Sequence, residues 1–299
     1  MLTGIHILLT YKCDRECEHC FVHAGPGARG TFSAAQIEQL LEQVSRIGTI
    51  ETVFFEGGEP FLFYPIMLKG MERAGARGFG VGTVTNAYWA TCPEDAEAWL
   101  TPLRDAGLAS LVTSEDPLHG GEEADERPSN ARAAAEKLSV SCSTIATEHP
   151  RVEPPETPGG PPAVAGGVMF RGRAAETLIE GLPTRPCGQF TECPHENLRD
   201  PGRVHVDVYG CVHLCQGLSM GNLWETPLSE LVATYDPDAH PICGPLLEGG
   251  PARLAEAYEL EHGDEYVSAC HFCYMMRSAL LDRFPEYLGP PQVYGLDPA

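Results

Sequence analysis

The feature that most constrains this chain is a rhythm in its first half. Short β-branched and aromatic runs at 5–10, 52–55, 79–85, 110–113 and 139–145 alternate with helical spacing at 32–47, 65–77, 93–106 and 126–138. Strands separated by helices of this length build repeated βα units around a parallel sheet. Thr31 or Ser33 can cap the first helix, and Gly78 closes the second. Segment 168–170 reads as a sixth strand. The economical α/β architecture is therefore a partial (β/α)6 barrel, with an open doubly wound sheet as the competitor. Between the fifth and sixth strands, 148–167 holds six Pro and four Gly and reads as a long loop. From about 184 the rhythm stops. Segments 204–208 and 212–214 have the pattern of a β-hairpin around Gly210, followed by short helices. The expected domains are 1–183 and a small C-terminal unit, 184–299.

Charge narrows the partners. Acidic residues outnumber basic ones 42 to 20, a formal charge of -22. Such a field repels phosphate backbones and anionic lipid, so neither nucleic acid nor membrane is expected as a partner. No apolar run reaches 18 residues and no export signal is visible, which points to a cytoplasmic protein. The acidic run 122–126 reads as a solvated loop. Twelve Cys in that compartment suggest metal or redox chemistry before disulfides.

Cys13, Cys17 and Cys20 form C-x3-C-x2-C directly after the first strand. Three thiolates on one loop can hold three irons of a four-iron cubane and leave the fourth iron open. A zinc knuckle is the competing reading. Gly57-Gly58-Glu59-Pro60 follows the second strand. Its glycines allow close backbone approach to a ligand and Glu59 can pair with an ammonium, although an ordinary tight turn has the same composition. Together these residues resemble the radical S-adenosylmethionine (SAM) superfamily over roughly 5–175. His19 stands where that family usually has an aromatic. The resemblance implies a [4Fe-4S] cluster on the three Cys, with SAM chelated to the open iron. One electron then cleaves SAM to methionine and a 5′-deoxyadenosyl radical, which abstracts hydrogen from the substrate. It further implies that Gly57, Gly58 and Glu59 hold the methionine amino group, and that Asn86 and Ser114 make additional SAM contacts.

Cys193, Gly210, Cys215, Cys270 and Cys273 resemble the twitch domain, a shortened relative of the SPASM domain. Sixteen residues between Cys193 and Gly210 exceed its usual spacing, and no Cys follows Cys273. The resemblance thus implies one auxiliary [4Fe-4S] cluster. Four thiolates close such a cluster, which suits it to accept an electron. Cys187 is an alternative first ligand, and a four-cysteine zinc site is the alternative metal. Cys92, Cys142, Cys211 and Cys243 are expected as buried thiols, and Arg171 and Arg173 as solvated side chains. The implied activity is that of a radical SAM oxidoreductase supplied by a one-electron donor such as flavodoxin or ferredoxin. Its net reaction resembles alcohol dehydrogenation by aminocyclitol dehydrogenases, or C–C or C–S bond formation by SPASM-type peptide maturases. Only twelve residues precede Cys13, too few for a peptide-recognition domain, which favours a small-molecule substrate. A non-catalytic electron carrier or zinc-stabilised binding protein is the reading from another class. It has no use for an open iron or for the Gly-Gly-Glu turn.

Overall fold

Strands β1 (Gly4–Thr10), β2 (Thr52–Gly57), β3 (Gly80–Thr85), β4 (Leu108–Ser114) and β5 (Ser141–Ile145) alternate with helices α1 (Ala34–Val44), α2 (Tyr64–Ala76), α3 (Pro93–Asp105) and α4 (Arg127–Lys137). The structure is a computed structural model that describes residues 1–119, 125–155 and 162–296. Local chemistry sets the helix starts. The Ser33 hydroxyl accepts from the Gln36 N–H while the Gln36 side chain accepts from the Ser33 N–H, a reciprocal cap for α1. Pro93 opens α3 at a position where its missing N–H costs nothing.

Side-chain alternation along β1 explains why this strand is central. Ile5, Ile7 and Leu9 join the large core with Ile37, Leu40 and Met67 from the helices. Leu8, on the other face, joins a second cluster with Tyr11, Cys13, Val22, Tyr274 and Tyr294. A strand buried on both faces belongs in a parallel sheet covered by other elements.

The sixth parallel strand is not the expected one. Segment 168–170 forms no strand. Its place is taken by β6 (Arg203–Asp207), which pairs in parallel with β1 on the side away from β2, from Gly4↔Arg203 to Leu8↔Asp207. Val204 and Val206 add to the same core as Ile5 and Ile7, so burial selects this pairing. The expected hairpin forms from β6, β7 (Cys211–Cys215) and β8 (Leu218–Asn222), and it continues the barrel sheet in the order β8-β7-β6-β1-β2-β3-β4-β5. Buried Asp207 secures the join. It accepts from the Tyr11 hydroxyl at 2.8 Å and from the Tyr209 and Cys211 N–H groups at 3.0 Å.

Within the Pro/Gly-rich segment, Arg151–Glu153 pairs with Ala163–Ala165 as a short antiparallel ladder. Residues 156–161 of that expected loop, and 120–124 with most of the expected acidic run, lie outside the described residues. Beyond the sheet come α5 (Cys243–Ala257), kinked at Gly249-Gly250, and α6 (Ala269–Ala279), capped by the Ser268 hydroxyl. Among the described residues no helix is long and apolar enough to cross a membrane.

Candidate functional site

The loop after β1 is held by main-chain contacts from two sides. Gly58 N–H donates to Thr10 O at 2.6 Å, and Glu59 N–H donates to Lys12 O at 2.9 Å. A Cβ at Gly57 would stand 2.4 Å from Thr10 O, and one at Gly58 would stand 2.2 Å from Lys12 O. Gly57 also has φ of 130°, a conformation that favours glycine. The two glycines therefore let the loops after β1 and β2 press together. From the other side, Arg173 donates to Cys17 O at 2.5 Å and to Ala24 O at 2.8 Å, while its own N–H donates to Cys20 O at 2.9 Å. Arg15 donates to the carbonyls of His119 and Asn86. Arg173, expected in solvent, is thus a clamp on the cysteine loop. A guanidinium can do this because its fork of donors reaches several carbonyls at once.

These contacts shape a cavity of about 290 Å³ at the C-terminal ends of the strands. Cys13, Cys17, Cys20, Gly57, Gly58, Asn86 and Ser114 all line it. Asn86 Nδ2 donates to Asp14 Oδ1 at 2.7 Å and stands 3.8 Å from Cys13 Sγ. Burial pushes the Cys13 and Cys17 thiols up to about 12, so a cation must displace their protons to bind. His19, also on the wall, is lowered to about 4 by burial and by His119 beside it, and is neutral at physiological pH. His23 lies elsewhere, with Nε2 3.1 Å from the Tyr274 hydroxyl.

Glu59 is the exception among the expected SAM contacts. It is fully buried and does not line the cavity. Its Oε1 accepts from Phe61 N–H at 3.0 Å and from the Thr85 hydroxyl at 2.9 Å, and its Oε2 accepts from Asn86 N–H at 2.8 Å. The carboxylate ties the end of β2 to the end of β3. Burial pushes it up to about 7 against those donors. This gives a stability prediction. In Glu59→Gln an amide N–H₂ must face a backbone N–H, which costs about 1–3 kcal/mol. The raised carboxyl holds its proton in the folded state after the unfolded chain has lost it. Its contribution is complete below about pH 4.5 and is lost as pH rises through about 7. Urea midpoints of both proteins at pH 5 and pH 8 should show a gap that narrows at pH 8. A widening gap would show that the folded state prefers the anion.

Sequence reasoning missed a group on three neighbouring strands. Glu56 lines the cavity, with Oε2 3.2 Å from His6 Nδ1 and Oε1 3.0 Å from His205 Nε2. Burial would raise Glu56, yet His205 and His6 hold it well below the usual carboxylate range. Positions 6, 56 and 205 share no local pattern, so only the β1–β2 and β1–β6 pairings together assemble them.

A second, narrower cavity of about 30 Å³ is lined by Cys193, Cys215, Cys270 and Cys273, with Cys187 absent from its wall. Cys215 ends β7, and Cys270 and Cys273 stand three residues apart on α6, where neighbouring turns put them on one face. Arg171 lines both cavities. Expected in solvent, it is 8% exposed, and its Nη1 donates to Cys215 Sγ at 2.9 Å. Among the described residues, neither cysteine set gathers three sulfurs within 4.8 Å of one another. Four thiolates bound to one zinc at about 2.3 Å stand about 3.8 Å apart.

Residues 7–140 match the family model of the Radical SAM superfamily. This segment is a radical SAM domain. The radical SAM family implies a [4Fe-4S] cluster and SAM, and the donor set of the first cavity fits both: three thiols on one loop, with half-buried Gly57 and Gly58 on the same cavity wall. Among curated proteins, one named for peptide biosynthesis, YydG of Bacillus subtilis (strain 168), is 23% identical over 115 residues, covering 38% of this chain and 36% of that protein. A protein of Archaeoglobus fulgidus without an assigned role is 30% identical over 106 residues, 35% of this chain and 24% of that protein. The chain therefore spans only a minor part of the matched relatives' length. Among solved structures, BtrN in complex with AdoMet and 2-DOIA aligns with TM-score 0.49 and 16% identity, covering 77% of this chain and 82% of that one. Native anSMEcpe with bound AdoMet aligns with TM-score 0.46 and 12% identity, covering 95% and 98%.

Proposed function

We propose that this protein is a radical SAM oxidoreductase that oxidises a small hydroxylated metabolite, with an auxiliary [4Fe-4S] cluster accepting one electron. The observation that carries the reading is the pair of cysteine-lined cavities joined by Arg171. In this reading the cysteines of the first site lie within residues 1–183 and those of the second within 184–299. Cys13, Cys17 and Cys20 hold the first cluster, which supplies one-electron cleavage of SAM when bound. The backbone of Gly57 and Gly58, with Asn86 and Ser114, orients SAM along the cavity wall. Glu59 acts one layer further out, by fixing that backbone.

Oxidation of an alcohol removes a hydrogen atom from C–H, then one electron and the hydroxyl proton. Glu56, held ionised beside His205 and His6 on the cavity wall, can accept a hydrogen bond from the substrate hydroxyl and orient it, while its depressed pKa makes it a poor final holder of that proton. Cys193, Cys215, Cys270 and Cys273 on the wall of the second cavity would hold the auxiliary cluster, which would supply an acceptor for that electron. A second reading, modification of a peptide by C–C or C–S bond formation, is favoured by the name of the Bacillus subtilis relative.

The test is anaerobic reconstitution followed by dithionite and SAM, with 5′-deoxyadenosine and methionine measured by mass spectrometry. Release of both supports radical SAM chemistry, and their absence with intact clusters removes it. Deuterated polyols and a peptide panel then separate the two substrate classes by which one passes deuterium into 5′-deoxyadenosine.

A further inference from the structure

Two arginines border the second cavity, and their burial is hard to explain by packing alone. Arg277 is 1% exposed and sits on α6 one turn beyond Cys273. Its Nη1 donates to Gln216 O at 3.0 Å, and its guanidinium stands 5.9 Å from the centre of the Tyr294 ring. Its Nε is buried without a hydrogen-bond partner, and among the described residues no carboxylate forms an ion pair with it. Arg171 approaches from the opposite cavity, with Nη1 on Cys215 Sγ and 3.3 Å from Glu196 Oε1. Its Nε too has no partner. A guanidinium remains charged at any physiological pH, so the fold buries two cations against one carboxylate. Burying an unpaired charge is costly unless an anion compensates it.

Four thiolates around a [4Fe-4S] core supply that anion. The oxidised assembly carries two negative charges and the one-electron-reduced assembly three, so adjacent cations favour the reduced form. We infer that Arg277 and Arg171 raise the reduction potential of the auxiliary cluster and so make it an electron acceptor. The inference rests on the proposed function, because a zinc site with four thiolates has the same charge but no reduced state. It assigns the arginines an electrostatic role: neither is a ligand, and reduction adds one electron with no atom transferred.

An EPR-monitored redox titration of the reconstituted full-length chain tests it. The auxiliary signal is identified as the one that survives in Cys13→Ala/Cys17→Ala/Cys20→Ala. Arg277→Met should lower the equilibrium constant for reduction at least tenfold, about 59 mV for one electron, while Arg277→Lys restores most of it. Arg171→Met should shift it in the same direction and carries the test if Arg277→Met does not load iron. Loaded Arg277→Met and Arg171→Met clusters at the wild-type potential would overturn the inference and leave the proposed function standing. Zinc in the wild-type site, found by metal analysis, would instead remove the electron-acceptor reading on which it rests.

Discussion

Cys13→Ala/Cys17→Ala/Cys20→Ala is expected to lower iron from about eight to about four per chain and to abolish 5′-deoxyadenosine formation. The loss should be complete because these three side chains are the thiols on the wall of the first cavity. The loop itself should keep its path, since its clamps act on main-chain carbonyls: Arg173 on Cys17 O and Ala24 O, Gly58 on Thr10 O, and Glu59 on Lys12 O. Circular dichroism and iron analysis together check this separation. Retained 5′-deoxyadenosine formation in the triple variant would refute the assignment of these cysteines. Loss of all iron would mean that the two sites do not load independently.

The second large effect concerns α6. Cys270→Ala/Cys273→Ala removes two of four thiols from the second cavity and should eliminate its cluster, leaving about four irons per chain. Reductive cleavage of SAM should persist, because the first cavity contains neither residue. Product formation should fall at least a hundredfold, since the substrate radical then has no acceptor for its second electron. The measurement is the ratio of oxidised product to 5′-deoxyadenosine. A ratio equal to that of wild type would show that the second cavity serves structure alone.

Much of the front half was legible in the sequence because it is local. Each βα unit spans a few tens of residues, and periodicity reports it directly. The Ser33 cap and the glycine pair after β2 were readable for the same reason. The errors fall where distant segments meet. Segment 168–170 is β-branched and aromatic enough to suggest a strand, yet burial awards its place beside β1 to Arg203–Asp207. Arg171 and Arg173 follow that segment and were assigned to solvent, because a sequence does not show that the chain there crosses the cysteine loop. Gly172 marks the crossing, with φ of 58° and no room for a Cβ, which would stand 2.5 Å from Cys20 O. The chemistry of Glu59 suggests a partner for an ammonium, but does not show that the side chain lies buried behind the cavity wall. Its three hydrogen-bond donors, two of them near Asn86 and one on Phe61, come from a turn and a strand that only the fold assembles. The resemblance groups Cys193, Cys215, Cys270 and Cys273, and these four line one cavity, whereas no sequence pattern shows that the chain carries Cys193 and not Cys187 to its wall.

The pairing of β6 with β1 also limits how such a chain can be cut or recombined. Five register pairs, Gly4↔Arg203 through Leu8↔Asp207, stitch the back of the molecule to the strand that launches the first cysteine loop. A chain shortened before Arg203 would leave β1 with an open row of N–H and C=O groups, a template for pairing with other chains. Exchange of ligands or rim loops leaves that seam alone. A transplant of the C-terminal segment onto another barrel has to rebuild it residue by residue.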